Sequence, residues 1–169
     1  YSIRKSKFEA YYSHFETELG IFTGAHVGSI EDIKARIAHG KPFESYDFTY
    51  DIASPKQRVS HDLFKLNWKY AFNGLQNIEL QYAFQQNHRR EYDLRRIESD
   101  DTPMADMALQ TQTLDAIYNH NNSSIGIQGM IQVNNNRPGT GTTPIIPNYD
   151  NLTLGAFAIQ QFHWRQFHF

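Results

Sequence analysis

Gln85, Asn87, Arg89 and Glu91 recur at a spacing of two, and they are the first residues in this chain with the means to hold a ligand. In an extended strand that spacing turns all four to one side. Two amides, a guanidinium and a carboxylate in one row can bind a polar or charged molecule by hydrogen bonds and ion pairs. They can equally satisfy each other, as any polar wall must. Arg90, Asp93, Arg95 and Arg96 add charge at the same end. Eight histidines (14, 26, 39, 61, 88, 120, 163 and 168) raise the question of metal or haem. None forms HExxH or an i, i+4 helical pair, the spacings that bring two imidazoles to one ion. His26 and His39 share one long connection, which makes His26 the candidate if the ligand is haem or a metal complex.

Enzyme chemistry finds little support. Glu79, Glu91 and Asp115 offer carboxylates of the kind glycosidases pair, but nothing in the sequence sets their separation. No nucleophile motif is present. Gly139-Thr-Gly141 lacks the Lys and the following helix of a phosphate loop. The chain has no cysteine, which removes disulfides, thiolate catalysis and thiolate metal sites together. A net charge of -2, without a basic stripe, argues against nucleic acid. We therefore expect no enzyme, no resident cofactor and no metal centre.

The elements that must position these residues follow from periodicity. Ile78, Leu80, Tyr82 and Phe84 alternate with Glu79, Gln81, Ala83 and Gln85. That period of two is a strand between two different media, and its polar set runs on to Glu91. Five more segments read as strands: Lys7–Glu18, Arg58–Phe72, Met107–His120, Ser124–Asn134 and about Leu152–Phe167. Phe64, Leu66, Trp68, Tyr70 and Phe72 share one face of the second; Ile125, Ile127, Ile131 and Val133 share one face of the fifth. Asn73-Gly74 marks a hairpin, and Asn121–Ser123 a second tight turn. The other connections, Leu19–Gln57, Leu94–Asp106 and Asn135–Asn151, are long. Long and short connections in alternation are the rhythm of a transmembrane barrel. The first long one holds a capped helix: Ser29 starts it, Ile30, Ile33 and Ile37 recur at helical spacing, and Gly40 with Pro42 ends it. We expect that helix to pack over the loop. No apolar run approaches the roughly 20 residues of a spanning helix. The expected fold is all-β, an antiparallel up-and-down meander with one short loop helix.

Four stretches carry a resemblance: Gly20–Phe43, Pro55–Asn73 with its VSHD, Gln81–Ile97 with its QNHRREYD, and Ile125–Leu152 with its NNNRPGTGTTPIIPNYDN. In these stretches the chain resembles the barrel of a TonB-dependent outer-membrane receptor of the Bacteroidetes type. The four cover nearly the whole chain and occur in that family's order. The resemblance implies a Gram-negative outer-membrane location and a slice of a barrel of about 22 strands. It also implies TonB-coupled uptake of a scarce nutrient such as an iron complex or haem. The partners it implies are membrane lipid, a plug domain and TonB itself, the last two through sequence outside these 169 residues. Within that frame we place ligand contacts at Arg89, Glu91, Arg137, Tyr149 and His26. Trp68, Tyr70, Phe72, Tyr82 and Phe84 would form aromatic belts at the membrane interfaces. The chain starts at Tyr1 without Met, and both ends are expected to be boundaries inside a longer protein. A partial wall leaves two sheet edges open, which invites self-association. A soluble antiparallel module that binds a ligand is the alternative.

Overall fold

Alternating polar and apolar residues cannot satisfy a helical stripe but fit a pleated strand, whose side chains leave on opposite faces. A computed structural model of the chain describes residues 2–3, 5–21, 29–40, 48–93, 102–164 and 167–168. It shows a single antiparallel up-and-down sheet. The two-residue β1 (Ser2–Ile3) flanks six long strands. These are β2 (Ser6–Gly20), β3 (Lys56–Ala71), β4 (Gln76–Tyr92), β5 (Ala105–His120), β6 (Ser123–Asn136) and β7 (Tyr149–Gln160). Each pairs with its neighbours in chain order, and the sheet is not closed. The outer edges of β2, beyond its short pairing with β1, and of β7 carry no partner strand among the described residues.

The sixth strand is shorter than its sequence suggests. Leu152–Phe167 was expected, but β7 ends at Gln160 because its partner β6 begins at Ser123, opposite Gln160. One step further, Gln161 N–H still donates to Asn122 C=O at 2.8 Å, where the tight turn begins on the other side. A separate two-residue pairing joins β8 (His163–Trp164) to β9 (Phe167–His168).

Connections alternate as expected. Residues 72–75 and 121–122 make the short turns, whereas 21–55, 93–104 and 137–148 are long. In the first turn the Asn73 side chain accepts from Leu75 N–H at 2.9 Å, an Asx turn. In the second, Asn121 takes φ 52°, a left-handed conformation that asparagine tolerates better than most residues. Helix α1 (Ile30–His39) is closed by Gly40 at φ 67°. Its apolar stripe is open: Ile30, Ile33 and Ile37 are all exposed, and among the described residues α1 makes no substantial contact with another element. Most of the loop it was expected to cover, 22–28 and 41–47, lies outside the described residues.

Register fixes the two faces. Phe64 lies opposite Phe84, Leu66 opposite Tyr82 and Trp68 opposite Leu80. Since paired residues share a face, Phe64, Leu66, Trp68, Ile78, Leu80, Tyr82 and Phe84 lie together. Leu114, Ile127 and Leu154 continue that row set across β5 to β7. The opposite face carries Lys65, Asn67, Glu79, Gln81 and Gln85. The apolar stretch from Phe64 in β3 to Phe72, the first residue of the turn, spans eight steps or about 27 Å. At a tilt of about 40° that is a band roughly 21 Å high, close to the apolar band of an outer-membrane barrel.

Aromatic rings mark both borders of the band. At the short-turn end Tyr70, Phe72 and Tyr118 form a chain of contacts, with Tyr70 and Phe72 edge to face at 5.0 Å, and Trp68 and Phe8 extend that chain into the band. At the other border Tyr12 donates its hydroxyl to Asp62 at 2.7 Å and Tyr82 to Gln112 at 3.1 Å. Each ring thus turns its apolar body to the band and its hydroxyl away from it. Between the borders lie Ala10, Leu66, Leu80, Leu114 and Ala116.

A one-layer sheet has no interior. Ala83, Tyr92 and Pro55 are the only buried apolar residues among those described. Exposed area is 12973 Å² for a 19.7 kDa chain, against about 8,600 Å² for a compact monomer of that mass. Leu66 (43 %), Leu114 (53 %) and Leu154 (76 %) remain exposed in mid-band.

One close approach sets a local limit. A Cβ on Gly126 would lie 2.5 Å from the Phe157 ring and 3.1 Å from Ala116 C=O. The ring lies directly over its cross-strand glycine. Gly126→Ala should therefore destabilise the intact protein by about 1–3 kcal/mol, and by less when Phe157 is already Ala. Unfolding curves of the single and double variants in detergent would measure this, and an equal cost in both backgrounds would contradict the packing.

Candidate functional site

The row Gln85, Asn87, Arg89, Glu91 does share one face, the polar one, because β4 is unbroken to Tyr92. Arg89 and Glu91 pair with each other along the strand at 2.5 Å. Arg89 also donates to Gln57 of β3 at 3.3 Å. Asn87 meets His61 at 3.5 Å. The two candidates are thus partnered but half-exposed, so an incoming anion or carboxylate mimic can compete for the guanidinium.

Tyr149 joins this face from β7. Its register runs Tyr149–Asn134–Leu109–Asn87, so it stands level with Asn87, three strands away. At about 4.8 Å per strand the gap is about 14 Å, the span of a sizeable ligand rather than of one functional group. The Tyr149 hydroxyl donates to Gln132 at 3.0 Å. Between Tyr149 and Arg89 the wall offers Gln132, Asn134 and Asn136. Asn134 is buried and donates to Pro147 C=O at 3.0 Å.

Arg137 does not join them. Its Nε lies 3.9 Å from Asp106 Oδ1. Asp106 sits opposite Arg90 on the face that carries the apolar band. Arg137 is one step past Asn136, so the same alternation that turns Asn134 and Asn136 to the polar face turns Arg137 to the band face. His26 lies outside the described residues, as do Arg95 and Arg96. Of the other histidines, His14 donates to Asp62 at 2.8 Å, and His88 pairs with Asp106 at 2.6 Å. Among the described residues no group of three or more His, Asp or Glu is arranged for a metal. Of the three carboxylates, Glu91 stands apart, twelve residues from Glu79 on one strand or about 40 Å, whereas Glu79 and Asp115 line one cavity.

Two features escaped the sequence reading. The first is a polar network at the short-turn end of the polar face. Lys7 pairs with Glu9 at 2.6 Å, Lys69 with Glu79 at 2.6 Å, and Gln81 donates to Asp115 at 3.3 Å. Asn119 donates to Asn77 at 2.9 Å and to Glu79 at 3.4 Å. Lys7, Glu9, Lys69, Glu79, Gln81 and Asp115 line an open cavity of about 390 Å³. The alternation alone put them on the right face; only the cross-strand register brings them together. The second is a charged cluster on the band face, beyond the band. There Glu18 binds Lys56 at 2.9 Å and Arg58 at 3.1 Å. The Lys56 hydrogen bond, opposed by partial burial and helped by Arg58, holds the Glu18 carboxyl below the usual carboxylate range.

The loop after β6 is built rather than loose. Asn136 donates to Ile146 C=O at 2.8 Å and to Asn148 at 2.7 Å, while Thr142 donates its hydroxyl to Met104 C=O at 2.7 Å. Gly141 N–H reaches Pro103 C=O at 3.0 Å. Asn134, Asn136 and Asn148 thus act as staples that hold Tyr149 at the strand entry. Asn136→Ala should raise protease cleavage within 137–148 several-fold while leaving the sheet intact. Unchanged cleavage in limited proteolysis would show that the staples do not hold the loop.

No protein-family model matches this chain, and neither a curated protein nor a solved structure does.

Proposed function

We propose that this chain is part of the wall of a TonB-dependent outer-membrane receptor that takes up a scarce nutrient such as an iron complex or haem. The observation that carries the reading is the one-layer sheet itself. It has an exposed apolar band edged by two aromatic borders on one face, and amides, hydroxyls and ion pairs on the other. Water is a poor solvent for the first face and a good one for the second. Lipid against the band and a water-filled lumen against the polar face resolve that contrast. The open edges of β2 and β7 then accept further strands of the same barrel. The three long connections, all at one end, would face outside the cell, and the turns 72–75 and 121–122 the periplasm.

In this role the chain supplies wall and loops, not energy coupling or bond chemistry. Arg89, Glu91 and Tyr149 face the lumen at its outer end, where an arriving ligand first meets the wall. The plug and the TonB-contacting segment belong to sequence beyond these residues.

The full gene, expressed in a Gram-negative host, should yield protein in the outer-membrane fraction, and nutrient uptake that stops when TonB is removed. Recovery in the soluble periplasm would favour a soluble β module and reject the proposal. So would a hydrolase or transferase activity in the purified protein.

A further inference from the structure

The upper part of β3 and β4 carries a charge arrangement that the polar-face site does not use. Arg58 stands directly opposite Arg90 in the antiparallel register. Like charges so placed are destabilising unless an anion answers both. Glu18 answers only the first, and its single Oε1 already serves Arg58 at 3.1 Å and Lys56 at 2.9 Å. Asp106, opposite Arg90 on the other side, is turned to His88 at 2.6 Å and Arg137 at 3.9 Å. Among the described residues no carboxylate reaches Arg90. Arg58 and Arg90, with Thr17 and the carboxylates Glu16 and Glu18, line a cavity of about 280 Å³. Glu16 lies 4.0 Å from His14. Lys56 and Arg58 each lie over the Tyr92 ring at 5.6 Å, which fixes their stems. Three cations therefore face two carboxylates, and one guanidinium is unanswered.

Position narrows the missing anion. The cluster is on the band face, six residues beyond Phe64 and Phe84. That is about 20 Å along the strand and about 15 Å in height at a tilt of about 40°. The head-group layer of an ordinary bilayer is only about 5–7 Å thick per side. A simple phospholipid phosphate falls short of this height. A head group of several sugars that carries phosphates reaches it, and a planar guanidinium pair suits phosphate oxygens.

We propose that Arg58, Arg90 and Lys56 form a binding site for a phosphate on the sugar head group of a membrane glycolipid. The inference rests on the membrane reading above and adds to it a partner on the lipid side of the wall.

The test uses the intact protein in nanodiscs of phosphatidylcholine mixed with lipopolysaccharide, either phosphorylated or dephosphorylated. Lipid retained after detergent exchange gives relative affinity. Wild type should hold the phosphorylated form about tenfold more tightly than the Arg58→Gln/Arg90→Gln protein does. The two proteins should not differ with the dephosphorylated form. Arg90→Lys, which keeps the charge and loses the fork, should fall between them and guards against a folding defect. Equal retention of phosphorylated lipid by wild type and double variant would overturn the site while leaving the membrane reading intact. Binding of inorganic phosphate as tight as that of the glycolipid would overturn the lipid assignment. Failure of wild-type protein to enter the nanodisc at all would overturn both readings.

Discussion

Leu80→Arg in the intact protein is expected to lower its unfolding free energy in lipid by about 2–4 kcal/mol, whereas Gln81→Arg one residue away should cost much less. Leu80 lies mid-band, opposite Trp68 and Ala116, with an aromatic border on either side. An arginine there must leave hydrocarbon or drag water into it. Gln81 faces the other way, beside Asp115, which accepts from it at 3.3 Å. An arginine at that position gains a carboxylate neighbour. Denaturant titration in lipid vesicles measures both, and equal costs would mean that the two faces do not meet different solvents.

The second large effect concerns uptake. On the proposed function, Arg89→Ala, Glu91→Ala and Tyr149→Ala are each expected to weaken ligand binding by the intact protein about tenfold or more, the size of one lost hydrogen bond to a charged group. Arg137→Ala should act far less, because its side chain approaches Asp106 on the band face. His26→Ala should matter if the ligand is haem or a metal complex. Uptake of labelled iron complexes by cells carrying each variant, at matched receptor levels, decides this. Unchanged uptake in the first three would reject the polar-face site. A loss in Arg137→Ala as large as theirs would place the ligand against the loops instead.

The faces of β3 and β4 were legible because period two is absolute: once Leu80 points one way, Gln81 must point the other. The short turns were legible through Asn73-Gly74 and Asn121-Asn122, and α1 through its isoleucine spacing and Gly40. What lay beyond sequence reach depended on partners. β7 stops at Gln160 because β6 begins at Ser123, a fact about pairing rather than propensity. Arg137 is the exception: one step from Asn136, it is turned away from the polar row by period two alone. The Arg58–Arg90 pair and the Lys69–Glu79 ion pair join residues 32 and 10 apart in the chain, and only the register of β3 with β4 brings them together. α1 was expected to pack because its stripe is apolar, yet a stripe states only that a surface needs cover, not what covers it.

A single-cysteine scan of β4 tests the central claim most directly. The 169 residues contain no cysteine, so each introduced thiol is unique within this segment. Spin labels placed one at a time from position 78 to 85 in the membrane-embedded intact protein should be read for collision with oxygen, which favours lipid, and with a water-soluble nickel complex. Oxygen should dominate at 78, 80, 82 and 84 and the nickel complex at 79, 81, 83 and 85. Nickel access at every position would contradict a lipid-facing band and with it the placement of this sheet in a membrane wall.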